Sequence, residues 1–599
     1  MMAQGLGAEL LKNPGGRQRL LHLHFFDNPE ARRQAGFCCQ ATGPPASQVI
    51  LDISHGRCYS SIYAAVLRQN WMNKESFLLN QSRTTRFVQN TLSTAVYQLT
   101  AMLLGFVTPR LMILYYGSEV NGLIVSVTEF LSYFKMVESG LAAAANAALY
   151  GPLARKDIPA VNGIVSAARE FYNAAGWFFT VITAVFAVVY PFFMPVHDLN
   201  GSLMSHLSVA ALILAMGVSG ALEFFTMARY RVLLTADQRT YVVSLTSMAS
   251  LLLSTALIVA LPYLGQDVIV VRLAASLTIL VRSILLSRYV KKYYPEVNAF
   301  VKPEKSALGK RWDALYMELT NVFQQGAGVI FGTLVTRDAG MLSVYGVYHM
   351  VTVGLWGVLK MATTGIYSIF GNLMVSEKKE SFQRAYADFE CLYDMAVTVL
   401  FGVATVLIVP FVNLYTHGVK DVNYNVPLLG MLIIVEGLTT HMRIPLNLMI
   451  SASGKFREVR GQCLAQVLTT TCLSVLLGLA LLPYGPEASL CGILAAVSLS
   501  NVLRSVLLMR LVPAQITGLS WKPSARRNLR MFLTVALIAA PCLLLIDPPR
   551  RFFTWVMYAA MLVLYSAVIT LAVNWLLDRK TVVSLFSRGK YLVSRFSGR

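Results

Sequence analysis

Residues 241–264 read YVVSLTSMASLLLSTALIVALPYL, and no charged side chain interrupts them. After the short polar step GQD at 265–267, residues 268–287 form a second apolar run, VIVVRLAASLTILVRSILLS. A helix rises about 1.5 Å per residue, so about 20 apolar residues match a hydrocarbon core of about 30 Å. Working outward in both directions, the same pattern recurs until about fourteen runs are placed. They fall at 87–114, 120–150, 171–194, 203–228, 241–264, 268–287, 312–335, 341–372, 391–415, 426–450, 461–482, 488–509, 531–546 and 552–577. In lipid, backbone N–H and C=O groups have no water to bond, so each run is expected to close its own hydrogen bonds as a helix. The expected class is an all-α integral membrane protein.

Composition agrees. The 599 residues are 56% hydrophobic and 14% charged, with mean hydropathy +0.57, against about 25% charged in soluble domains. The formal charge of +21 lies in short clusters between the runs, without a continuous basic stripe. That placement excludes nucleic acid as a partner and reads as a topology signal. With the amino terminus on the cytoplasmic side, the basic connections all fall on that side: Arg155/Lys156, Arg229/Arg231/Arg239, 291–311, Lys378/Lys379, Lys455/Arg457/Arg460 and Arg526/Arg527. The outer connections carry Glu119, Asp198, Asp267 and Glu487, with Arg550-Arg551 the exception. Both termini are therefore expected in the cytoplasm.

No pair of the eight cysteines is spaced CxxC, and there is no P-loop, HExxH or metal cluster. The expectation is a non-enzyme with no cofactor or metal and no direct ATP drive. Residues 1–80 lack a span and any signal-peptide pattern. They are expected to be disordered or an over-extended gene start, with Met72 a plausible beginning.

The halves repeat. LARKDIPAVNGIVSAAREFY (153–172) and MVSEKKESFQRAYADFECLY (374–393) are both charged early and amphipathic later, and each leads into a span ending in Pro-Phe, Pro191-Phe192 and Pro410-Phe411. Such stretches suit helices lying along the interface. An offset of six spans keeps both copies in one orientation, as in transporters built from parallel repeats with the substrate path between two lobes. The expected organisation is an amino-terminal lobe at 87–287, a basic linker at 288–311, a carboxyl-terminal lobe at 312–509, a loop at 510–530, two further helices at 531–577 and a basic tail at 578–599.

One stretch carries a resemblance. TPRLMILYYGSEVNGL (108–123), followed by Glu138-Ser-Gly-Leu, the small-residue run 142–148 and LYGPL (149–153), resembles polysaccharide-export, O-antigen-type flippases of the multidrug/oligosaccharidyl-lipid/polysaccharide superfamily. The resemblance implies two six-helix bundles in a MATE-like V with two extra helices at the carboxyl end. It also implies alternating access and a polyprenyl-diphosphate-linked oligosaccharide as cargo at the plasma membrane, with membrane lipids, a glycan polymerase and other polysaccharide-assembly proteins as partners. The multidrug branch usually carries an acid in its first helix; 87–114 has none. An ion-coupled drug or metabolite antiporter and a membrane-embedded glycan polymerase are the competing functions. The short outer connections disfavour the polymerase.

Charges inside a bilayer are costly and normally face a cavity or a partner. Guanidinium and ammonium groups are what meet phosphate in a low-dielectric site. The candidate cargo contacts are Lys360, Arg443, Arg110, Lys135, Arg272, Arg282 and His349, and the candidate coupling residues are Glu436, Glu318 and Glu138. At 100° per residue, His349 and Lys360 share a face, as do Glu436, Arg443 and Asn447; Glu318, Asn321 and Gln325; and Arg272, Ser276 and Ser283. Asn321, Gln325 and Asn447 are thus expected to line a polar cleft. Lys135 and Glu138 are expected to pair locally, and Arg504 to snorkel from a span end.

Overall fold

A computed structural model describes residues 83–304, 312–363, 366–376, 379–545 and 551–587. The expectation for 1–80 lies outside these residues, as do parts of the 288–311 linker and the 578–599 tail.

The chain is helical throughout its described spans. The first expected span is two helices, α1 (Arg83–Gly105) and α2 (Val107–Tyr116). The cause is Pro109, which has no N–H for the Gly105 carbonyl and whose ring crowds it. The Tyr415 hydroxyl donates to the adjacent Phe106 carbonyl at 2.6 Å. Next come α3 (Ser118–Phe134), α4 (Val137–Arg155), α5 (Ile158–Val189), α6 (His206–Thr226), α7 (Ala228–Ala236), α8 (Thr240–Tyr263), α9 (Val268–Leu277) and α10 (Ile279–Tyr293). The second half gives α11 (Trp312–Thr336), α12 (Ala339–Thr363), α13 (Ile366–Ser376), α14 (Lys379–Tyr415), α15 (Pro427–His441), α16 (Ile444–Ser453), α17 (Phe456–Leu481) and α18 (Pro486–Val512), followed by α19 (Trp521–Leu545) and α20 (Phe552–Leu577). The α15/α16 break repeats the proline logic, since Pro445 removes the donor for the His441 carbonyl. At the α9/α10 break the Ser250 hydroxyl donates to the Thr278 carbonyl at 3.0 Å.

Among the described residues twelve spans, broken pairs joined, are long and apolar enough to cross a membrane, against about fourteen expected. The chain is a multi-pass membrane protein. The two expected spans outside that set, 120–150 and 312–335, are helical but polar. The first is interrupted at Lys135–Met136 and carries Glu129 and Glu138; the second carries Glu318, Asn321, Gln324 and Gln325.

The repeated amphipathic stretches differ from expectation. Neither is a separate interfacial helix: each runs unbroken into its span, giving α5 with 32 residues and α14 with 37. These lengths correspond to about 48 and 56 Å, so the charged turns extend beyond the hydrocarbon region. Asp157 starts α5 by accepting from the Ala160 N–H at 3.1 Å, with Pro159 in the first turn.

Two apolar cores organise the fold. One includes Met112, Leu123, Val165, Tyr172, Leu212 and Leu233; the other includes Val347, Tyr348, Phe401, Leu429, Ile433 and Leu494. They meet where α3 packs on α12, so closely that a β-carbon at Gly122 would overlap the Ala339 carbonyl. A hydrogen-bonded seam lies there. The Ser118 N–H and hydroxyl donate to the Asp421 carboxylate at 2.6 and 2.8 Å, the Tyr424 hydroxyl donates to Ser118 Oγ at 2.8 Å, and Asn121 Nδ2 donates to Ser343 Oγ at 2.8 Å. Burial, opposed in part by its bonds to Ser118 and Ser343, pushes the Tyr424 hydroxyl up to about 12, so it stays a donor. At the opposite end of the molecule, Arg527 on α19 pairs with Glu390 on α14 at 2.8 Å and with Asp578 at 3.0 Å, pinning α19 and α20 to the second core.

Candidate functional site

The breaks at Lys135 and Thr278 border a cavity of about 380 Å³ inside the first lobe, within the range of ~300–1,000 Å³ usual for ligand sites. Its walls come from α1, α3, α5, α6, α8, α9 and α10. Lys135, Arg272 and Arg282 supply three cations, and Ser132, Ser219, Ser247, Ser254 and Ser276 are among its hydroxyls. Aromatic and aliphatic groups such as Phe179 and Ile258 close the rest. Among the described residues no carboxylate belongs to the lining.

Behind the wall at the end bearing the basic connections stands Glu223 of α6. Its carboxylate accepts from Lys135 Nζ at 3.0 Å and from Arg231 at 3.1 Å, and forms an ion pair with Arg282 at 3.5 Å. Arg231 also pairs with Glu138. Arg272 stands apart. It lies ten positions before Arg282, about 15 Å along the helix axis, and among the described residues it has no acidic partner within 4 Å. A guanidinium that lines a cavity within a span, with no acid beside it, retains its capacity for an anionic guest.

The expected cation set therefore divides. Lys135, Arg272 and Arg282 meet in the cavity together with Ser276, while Ser283 is buried to one side. The expected Lys135–Glu138 pair is replaced by Lys135–Glu223 and Arg231–Glu138, because the helix breaks between Phe134 and Val137 and turns the two side chains toward different partners.

Arg443 and Asn447 are not cleft-lining: they are 2% and 7% exposed. The break before Ile444 interrupts the stripe drawn through a continuous helix, and Arg443 donates to Asn501. Arg504 does not snorkel either. It is 1% exposed and donates to Gln466 Oε1 at 2.6 Å, with Gln466 Nε2 donating to Asn501 at 2.9 Å. The chain continues from Asn501 to Thr440 at 3.0 Å and from Thr440 to Glu436 at 2.9 Å.

Arg110 is a structural contact, donating to the His417 carbonyl at 2.8 Å. His349 stacks on Tyr345 with ring centroids 5.1 Å apart. Lys360 is exposed over the Trp356 ring at 5.0 Å. On α11, Glu318 and Gln325 are exposed and Asn321 half-buried, whereas the neighbouring Gln324 is buried and donates to Thr470 at 2.6 Å.

From the sequence Arg231 is a topology charge and no more, and Gln324, Gln466, Asn501 and the hydroxyls of α8 have no role at all. A signal for the last existed: Ser247, Ser250 and Ser254, at helical spacing in a charge-free run, form one polar stripe. Isolated amides in apolar runs were a similar signal for Gln466 and Asn501.

No family model matches the chain, and no curated protein matches it. Solved structures do. The lipid II flippase MurJ in an inward closed conformation aligns with TM-score 0.58 and 12% identity over 80% of this chain and 98% of that one. An outward-facing multidrug resistance MATE family transporter of the MOP superfamily aligns with TM-score 0.53 and 12% identity over 76% and 98%. A MOP superfamily transporter from Pyrococcus furiosus aligns with TM-score 0.51 and 13% identity over 76% and 98%. At these identities the likeness is one of fold, and it places this chain in the architecture that MurJ and the MATE transporters share.

Proposed function

We propose that this protein is an alternating-access transporter that flips a polyprenyl-diphosphate-linked oligosaccharide across the plasma membrane for polysaccharide assembly. The observation that carries the reading is the cavity: three cations and a serine-rich wall, with no lining carboxylate among the described residues. A diphosphate diester carries two negative charges, and cations with hydroxyls in a low-dielectric pocket are the chemistry that binds it. The fold likeness to a lipid II flippase supports a lipid-linked cargo. Basic connections facing the cytoplasm support cytoplasmic termini. Glycan polymerases and other assembly proteins, as consumers of the flipped unit, are the partners this role implies, and Glu436 and Glu318 remain the candidates for coupling an ion gradient.

The ion-coupled multidrug antiporter is the second reading, supported by the same fold likeness. An organic cation needs a carboxylate in the wall, and the cavity offers cations instead. The deciding experiment reconstitutes the full chain in liposomes and follows a fluorescent polyprenyl-diphosphate disaccharide alongside a cationic dye. Flipping of the lipid without dye transport is the expected result. Proton-driven dye efflux with no lipid flipping would replace this reading with the antiporter.

A further inference from the structure

The proposed cargo leaves one group unexplained. Glu223 sits behind the cavity wall and binds the same cations that would grip a phosphate. With Lys135, Arg231 and Arg282 on one carboxylate at 3.0, 3.1 and 3.5 Å, it is the most heavily bonded acid of the lobe's interior. Its side chain is 12% exposed.

We propose that Glu223 is the resident counter-anion of the cavity, a positioning residue that the cargo's diphosphate displaces from Lys135 and Arg282. The inference rests on the flippase reading above. Charge balance supports it: among the described residues Lys135, Arg231 and Arg282 pair with Glu138 and Glu223 alone, and Arg272 lines the cavity without an acidic partner, so these groups hold a formal surplus of two positive charges. That surplus matches a diphosphate diester and exceeds a monophosphate diester, which carries one. Arg231 stays with Glu138 and Glu223 behind the wall, so Glu223 keeps one cationic partner when the other two turn to the cargo.

Geometry supports exchange as well. Lys135 is at the α3/α4 break and Arg282 lies just beyond the α9/α10 break, so both stems leave the helix next to a local hinge. A β-carbon at Gly220 would meet the Lys135 Cε at 2.8 Å and the Phe179 ring. The glycine on α6 thus keeps open the space through which the lysine reaches Glu223. Holding the cations on Glu223 keeps the empty cavity from trapping inorganic anions. Returning them to Glu223 helps eject the cargo. Glu223 therefore trades affinity for turnover.

The test uses full-length protein in nanodiscs for binding and in liposomes for flipping. The probes are a short-chain polyprenyl-diphosphate disaccharide and its monophosphate counterpart. Glu223→Gln is expected to bind the diphosphate lipid about tenfold tighter, to flip it more slowly, and to lose discrimination against the monophosphate lipid. Glu223→Asp, whose shorter carboxylate holds the two cations less well, shifts affinity in the same direction by less. The ligand-induced rise in Tm reads affinity independently. If Glu223→Gln fails to fold, Glu223→Asp decides: affinity no higher than wild type contradicts the proposal. Wild type that binds the diphosphate lipid while folded variants bind it equally or more weakly overturns the role of Glu223 alone. Folded wild type that binds no diphosphate lipid overturns the flippase reading, and this inference with it.

Discussion

At the scale of single residues, burial separates cations that hold the fold from those that meet a guest. Arg504 is 1% exposed, and its guanidinium depends on Gln466 Oε1 at 2.6 Å. Gln466→Leu leaves that charge buried without its acceptor, so a loss of about 3 kcal/mol is expected in denaturation of the detergent-solubilised protein. Unchanged stability would show that the remaining contact of Arg504 with Cys463 Sγ, at 3.4 Å, suffices. Charged positions were legible in the sequence because a charge in an apolar run stands out. Their partners were not, since Glu223 meets Lys135 across 88 positions of chain and Arg504 meets Gln466 across 38. Helical periodicity assigns a face, but only packing decides whether that face looks at a cavity or into a neighbouring helix; Arg443 shows the difference.

At the scale of elements, proline breaks were readable and the others were not. Pro109 and Pro445 name their own break points by the carbonyls they strand, at Gly105 and His441. The breaks at Lys135, Met227 and Thr278 follow no such rule, and those at Lys135 and Thr278 line the cavity. The amphipathic repeats were legible as a pair. Their continuity into α5 and α14 was not, because helix length beyond the membrane depends on what the charged turns pack against. One such contact is the Glu390–Arg527–Asp578 cluster. Arg527→Ala leaves Glu390, 4% exposed, with the Tyr386 hydroxyl as its remaining partner, and about 3–5 kcal/mol of stability is expected to go. The Asp578 carboxyl, despite burial, is held below its usual range by the Thr581 hydroxyl and Arg527. A lowered folded-state pKa gives stability that is present above the ordinary aspartate value and is lost as pH falls through the folded one. Protease protection of α20 should therefore decline below about pH 4, and Asp578→Asn should flatten that dependence. An identical acid profile in the variant would assign the transition elsewhere.

At the scale of the whole molecule, two apolar cores meet along α3 and α12, and the proposed alternating-access cycle would move one against the other. The span pattern and the repeat made that organisation legible. The seam itself, Ser118 to Asp421 and Asn121 to Ser343, joins residues more than 200 positions apart and left no trace in local sequence. Gly122→Ala forces α3 away from the Ala339 carbonyl, so the lobes should no longer close at this end. Spin labels across the seam should report a wider distance and flipping should fall at least about tenfold. A normal distance with normal flipping would show that the seam is not part of the cycle.

If the cationic cavity holds the cargo's diphosphate, Arg272 is the side chain whose loss should show it, because among the described residues no acidic partner depends on it. The measurement is flipping of the diphosphate-linked disaccharide by Arg272→Ala in liposomes, alongside its thermal midpoint. Loss of one charge-assisted contact, about 1.5–3 kcal/mol, predicts flipping reduced about 10- to 100-fold with the midpoint unchanged and partial recovery in Arg272→Lys. Wild-type flipping by a folded Arg272→Ala protein would show that this cavity does not hold the diphosphate.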